Sequence, residues 1–166
     1  MEGNNLIDEE VTAVALAVIV VIGAFSVSQA FLAGKVVEPF SELAVLGPNQ
    51  KIGDYPKNLI AGENFTLYLY VGNHEGKVMY YRVYVKLGNQ SSIINENVSL
   101  NAPLIAQYET ILSKDQIWLK PITLHIDEPG INYRLVFELW VYKPDEGIFA
   151  YHGRWNQIWL NVTGSS

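Results

Sequence analysis

Two arrangements of apolar residues divide this chain. Between positions 11 and 34 apolar residues run on without a charge, as VTAVALAVIVVIGAFSVSQAFLAG, bounded by Glu10 and Lys35. From about residue 40 onward apolar and polar residues alternate, and turn-forming residues recur every ten to fifteen positions. An uninterrupted apolar stretch predicts a helix buried on all sides, whereas alternation predicts half-buried strands.

A helix over 11–34 extends roughly 36 Å at 1.5 Å per residue, against about 30 Å of bilayer hydrocarbon. It lacks the polar stripe of a core helix. Its last third is more polar, with Ser26, Ser28 and Gln29, which suits a helix end or a face that meets another helix. A secretory leader would begin with basic residues, but this chain begins with Glu2, Asp8, Glu9 and Glu10. Small residues at Ser26, Ser28, Ala30 and Ala33 leave a processing site open. The expectation is an uncleaved single-pass transmembrane helix.

The alternating part predicts about seven or eight strands. The first covers 40–46 and stops at Gly47-Pro48. A long turn-rich loop leads to a strand over 64–71, and Gly72 to Gly76 reads as a hairpin turn into a strand over 77–87. Residues 93–112 offer one or two short edge strands around Pro103. A strand over 116–126 follows, bent or at an edge because of Pro121. The longest candidate is 131–142, and short strands over 148–151 and 157–162 close the chain. This is the pattern of an all-β, immunoglobulin-like antiparallel β-sandwich preceded by one N-terminal transmembrane helix. The expected organisation is an acidic tail at 1–10, the helix at 11–34, a linker at 35–39, the β-sandwich at 40–163 and a frayed end at 164–166.

Composition narrows what this domain does. The net charge of −6 and the scattered Lys and Arg argue against nucleic acid as a partner. The absence of cysteine removes thiol chemistry, disulfides and Cys-based metal sites. His74, His125 and His152 have no partner at metal-ligand spacing. Asp127-Glu128 and Asp145-Glu146 fall in Pro/Gly turns, where acids serve local hydrogen bonding and solubility. No phosphate-binding loop, dinucleotide fingerprint, nucleophile elbow or zinc-protease motif is present. We therefore expect no enzyme, no catalytic residue, no cofactor and no metal.

Four sequons follow the helix: Asn64-Phe65-Thr66, Asn89-Gln90-Ser91, Asn97-Val98-Ser99 and Asn161-Val162-Thr163. Chance predicts about one match in such a composition. Lys35, Lys51 and Lys57 point the other way, because cations favour the cytoplasmic side. Four sequons outweigh one nearby lysine, so Asn64, Asn89, Asn97 and Asn161 are expected glycosylation sites on an extracellular C-terminal domain.

All Tyr and Trp lie after residue 50. Tyr68, Tyr70, Tyr80 and Tyr84 alternate along two consecutive predicted strands, and Trp140 and Tyr142 continue the pattern on a third. Together they form a candidate interaction face, since exposed aromatics suit glycan stacking or a protein partner.

Several segments together resemble an archaeal family of uncharacterised membrane proteins. They are residues 38–48 (EPFSELAVLGP), 54–59 (DYPKNL), 62–64 (GEN), 72–76 (GNHEG) and the close at 159–163 (WLNVT). The resemblance covers roughly residues 36 to 163 and the preceding helix. It implies an archaeal origin and a cell-envelope setting, and it brings no activity or catalytic residues. Members of that family commonly carry several helices before the β domain, where this sequence shows one. The start of the 64–71 strand is also similar to adhesion-type immunoglobulin-like modules. Three roles fit these features: a non-catalytic accessory subunit of a membrane or envelope complex, a glycan-binding or adhesion module, and a filament subunit that exchanges a strand with its neighbour.

Overall fold

The structure, a computed structural model, describes residues 9–33 and 38–164. The chain divides into two compact units, residues 1–38 and 39–166. The expected acidic tail up to residue 8, the linker positions 35–37 and the last two residues lie outside the described residues.

The first unit is a helix, α1 (Glu9–Ala33), of 25 residues. Over Thr12–Gln29 it is long and apolar enough to cross a membrane, as an anchor or a signal sequence would be. Every side chain over that stretch is exposed. An all-round apolar helix needs lipid or other helices to cover it. The polar residues late in the helix do not end it. Ser26 Oγ donates to the Ile22 carbonyl at 2.8 Å and Ser28 Oγ to that of Phe25 at 2.9 Å, so both hydroxyls are satisfied inside the helix.

The second unit is built of strands: β1 (Phe40–Leu46), β2 (Asn58–Ile60), β3 (Phe65–His74), β4 (Met79–Gly88), β5 (Leu104–Leu112), β6 (Ile117–Leu124), β7 (Gly130–Lys143) and β8 (Ile148–Thr163). They form a three-stranded sheet in the order β1-β3-β6 and a five-stranded sheet in the order β2-β8-β7-β4-β5. β1 pairs antiparallel with β3, whereas β2 pairs in parallel with β8, so the first edge is shared between the sheets. Near the start of β7 the Tyr133 hydroxyl reaches back to the Pro129 carbonyl at 3.4 Å. This is the tyrosine corner of immunoglobulin-type sandwiches. Gly130 is required there, because a Cβ would lie 2.5 Å from the Tyr133 ring. The fold is thus an immunoglobulin-like β-sandwich.

Alternation accounts for the core. Leu67, Leu69 and Val71 of β3 face Val83 and Val85 of β4 and Leu135, Phe137 and Leu139 of β7, all of them buried. Each such side chain stabilises the fold by about 1.5–3 kcal/mol on burial.

Three expectations need correction. Residues 72–76 do not form a hairpin. β3 runs on to His74, and the chain then crosses to the other sheet. Asn73 pins this crossing. Its buried amide donates to the carbonyls of Lys77 (2.8 Å), Leu112 (2.9 Å) and Ser113 (3.0 Å), and its oxygen accepts from the Glu75 amide at 3.0 Å. The final two strands are one, β8, interrupted opposite Glu138–Trp140 by a bulge at residues 152–154. β2 lies inside the stretch expected to be loop.

The connection at residues 89–103 has no ladder of its own beyond an Asn95–Val98 bridge. It folds over the outer surface of the five-stranded sheet. Ile94 and Leu100 bury Val136 of β7 in a second small core, flanked by Ala102 and Trp155.

Candidate docking face

The registers of β5, β4, β7 and β8 place the outward side chains of the five-stranded sheet in rows. Nearest the open end, Ile111, Tyr80, Tyr142 and Phe149 form one row. Glu109, Arg82, Trp140 and Tyr151 form the next. Gln107, Tyr84, Glu138 and Trp155 form the third. The first two rows are half-buried to exposed, with Tyr151 reaching the edge of the cover, and residues 92–100 cover the third from Glu138 onward.

Arg82 is the centre of the open rows. Its Nε and terminal nitrogen lie 2.8 Å and 2.7 Å from Glu109 Oε1, and another terminal nitrogen donates to the Tyr84 hydroxyl at 3.0 Å. Its guanidinium lies 3.7 Å from the centre of the Phe149 ring, a close cation–π contact. The Tyr80 hydroxyl donates to Glu109 Oε2. That hydrogen bond holds Glu109 below the usual carboxylate range, aided by Arg82, and raises the Tyr80 phenol. The phenol therefore remains a donor and the carboxylate an acceptor around neutral pH.

The rings interlock instead of lying flat. Tyr80 meets Tyr142 at 49° and Phe149 at 72°; Tyr84 meets Trp140 at 76°; Trp140 meets Tyr151 at 49°; Tyr142 meets Phe149 at 59°. Tilted and edge-to-face packing holds each ring in place.

Below this patch Glu138 is wholly buried and fully engaged. It accepts from Lys86 Nζ (2.9 Å), the Leu100 amide (2.5 Å), Trp140 Nε1 (3.0 Å) and Ser99 Oγ (3.2 Å). Tyr151 donates to the Asn95 carbonyl at 3.0 Å, and burial, followed by the Glu138 charge, pushes its phenol up to about 12.

The structure thus brings together four of the six expected face residues: Tyr80, Tyr84, Trp140 and Tyr142. Tyr68 and Tyr70 lie on the outer surface of the three-stranded sheet instead, because β3 and β4 belong to different sheets. Tyr70 donates to Glu42 Oε2 at 2.9 Å, beside His74. Arg82, Phe149 and Tyr151 belong to the face although aromatic patterning did not single them out. Arg82 was legible as the polar residue alternating between Tyr80 and Tyr84. Phe149 and Tyr151 needed the β7–β8 register.

Asn64, Asn89 and Asn97 are exposed. The Asn89 side-chain oxygen accepts from the Ser91 amide at 3.0 Å and so shapes its own turn. Asn161 is half-buried in β8; it donates to Asn58 Oδ1 at 3.2 Å and accepts from the Asn132 amide at 2.8 Å.

A second polar cluster lies under the β8 bulge. Ser41 Oγ donates to Glu75 Oε1 at 2.6 Å and accepts from the Tyr81 hydroxyl at 2.8 Å, while His152 Nε2 is 3.6 Å from the same carboxylate oxygen. Here the carboxylate, not the imidazole, meets the serine, and Ser41 is wholly buried. The arrangement does not prepare a nucleophile. Among the described residues no group of three or more His, Asp or Glu could hold a metal ion.

These features define an immunoglobulin-like β-sandwich domain with one built aromatic face. The chain belongs to the family described as a domain of unknown function (DUF1616), which matches residues 34–159. No curated protein matches it. Among solved structures it is similar to the CARDB domain of a Pyrococcus furiosus protein, determined in complex with di-metal ions. That likeness has 11% identity and a TM-score of 0.47, and covers 76% of this chain and 90% of that one. A β-glucosidase from Listeria innocua in complex with glucose is similar at 14% identity and a TM-score of 0.46, over 76% of this chain and 16% of the other. The complex of zinc 2-glycoprotein and prolactin inducible protein from human seminal plasma is similar at 10% identity and a TM-score of 0.44, over 79% and 99%.

Proposed function

We propose that the chain is a membrane-anchored, non-catalytic accessory subunit whose β-sandwich stands outside the cell and docks a protein partner through the open rows of the five-stranded sheet. The observation that carries this reading is the Tyr80–Arg82–Trp140–Phe149 patch. Tyr, Trp and Arg are the residues that dominate protein interfaces, and here ring packing and the Glu109 ion pair hold them in place before any partner arrives. The tilted rings favour a protein over a sugar, which stacks best on an exposed flat ring. The apolar helix supports anchoring, the four sequons support the extracellular side, and the resemblance to archaeal envelope proteins supports an archaeal membrane or envelope complex.

The test is gentle detergent extraction at native abundance, followed by native mass measurement and peptide sequencing of whatever accompanies the chain. A stoichiometric protein complex that dissociates on combining Tyr80→Ala with Tyr142→Ala is the expected result. A lone monomer, or a chain that retains only glycan through this face, overturns it.

A further inference from the structure

β5 ends the five-stranded sheet and β6 ends the three-stranded sheet. The two strands follow each other in sequence, joined at residues 113–116, yet among the described residues they pair only with β4 and β3 respectively. Each therefore presents one edge whose alternate backbone groups have no strand partner.

The gap between these edges is closed at one end and open at the other. Towards the 113–116 connection, Trp118 and Tyr108 pack on the core, and Lys120 Nζ lies 5.7 Å and 6.0 Å from their ring centres. At the far end the sheets diverge into a groove of about 490 Å³. Leu87 and Ile105 line one wall, and Leu124 and Ile126 the other. Asp127 and Glu128 stand exposed at its mouth. Among the described residues no Lys or Arg pairs with either carboxylate, and the nearest ion-pair partner is His125, whose Nε2 is 3.9 Å from Asp127 Oδ2.

We infer that this groove receives an extended segment of a partner protein, added as a further strand along β5, with an apolar side chain between the sheets and a Lys or Arg against Asp127 and Glu128. An added strand sends every second side chain between the sheets, and the long stem of a Lys or Arg next to it lets the charged end turn back to the carboxylates at the mouth. The volume suits insertion of side chains, and the uncompensated acids select a basic segment. β5, whose ladder with β4 skips Ile105, is still the better edge, because Pro121 deprives β6 of one backbone donor. The site is separate from the aromatic patch and stands or falls independently of it.

The test uses the full chain in detergent micelles and two synthetic hexapeptides, one alternating Val with Lys and one alternating Val with Glu. Hydrogen exchange followed by mass spectrometry should show slowed exchange at 104–108 with the Val–Lys peptide only. Exchanging both acids (Asp127→Lys with Glu128→Lys) at these exposed positions should weaken the Val–Lys peptide at least tenfold and transfer the preference to Val–Glu. The Tyr80→Ala, Tyr142→Ala double variant should leave the effect intact. No slowing with either peptide at millimolar concentration overturns the inference. So does slowing confined to β6 or to the aromatic face, or a preference unaltered by the charge exchange.

Discussion

The outer surface of the five-stranded sheet carries two ion pairs that differ in one respect. Arg82–Glu109 and Lys86–Glu138 each join a basic residue of β4 to an acid on a neighbouring strand, and each lies among aromatic rings. The Arg82–Glu109 pair is open, its side chains 22% and 29% exposed; the Lys86–Glu138 pair lies under residues 92–100, at 13% and 0%. The same strand chemistry thus yields a ready surface in one half and a sealed polar core in the other. The cover makes the difference. Where water is excluded, each lone pair and proton needs a protein partner, and Glu138 finds four of them.

Breaking the sealed pair should have the largest effect. Glu138→Ala takes the counter-charge from Lys86, which keeps only the Ser99 hydroxyl and the Leu100 carbonyl, and leaves the Leu100 amide and the Trp140 indole without their acceptor; it should cost about 3–5 kcal/mol in chemical denaturation of the full chain in micelles. The next largest loss is expected from Leu100→Ala, which empties the small core over Val136. A cost of about 2–4 kcal/mol, with increased solvent quenching of Trp155 fluorescence, would show that the cover is held by packing as well as by Glu138. Gly153→Ala acts on the same cover from beneath. Gly153 has φ +81°, and a Cβ there would lie 2.5 Å from the Glu96 carbonyl oxygen, so the variant should lose about 1–3 kcal/mol and speed exchange at residues 94–100.

Acid should weaken the domain through the half-buried imidazole of His152 in the bulge. Burial holds His152 below its ordinary 6.5, with Glu75 opposing and Arg154 adding to the shift. The unfolded chain therefore binds a proton near that pH that the folded chain refuses. Stability from this group is complete above about pH 6.5 and falls as pH drops towards the folded value. Denaturation midpoints measured from about pH 7.5 to 5 should show this decline, and His152→Gln should flatten it. The smallest effect belongs to the open pair. Glu109→Gln should change stability by less than about 1 kcal/mol, because exposed ion pairs are screened by water and salt. Equal losses for Glu109→Gln and Glu138→Ala would erase the comparison.

Much of this was legible in the chain. Alternation along β3, β4 and β7 assigned inner and outer side chains correctly, and Tyr80, Tyr84, Trp140 and Tyr142 do share a face. The misplacement of Tyr68 and Tyr70 has a specific cause. A Gly-Asn-rich segment between two alternating strands reads as a hairpin, and only the carbonyls of Leu112 and Ser113, 39 and 40 residues away from Asn73, turn it into a crossing. Val136 and Glu138 followed the outward alternation, yet both are buried, because the cover comes from a connection with no periodicity to announce where it lies.

Local chemistry alone therefore determined the apolar helix, the strands and the two sides of each strand, since these depend on neighbours one to four positions away. Which strands share a sheet, which outward acid is sealed and which edges stay free were decided only in the tertiary structure. Those outcomes depend on contacts between residues tens of positions apart, whose closure no short pattern encodes.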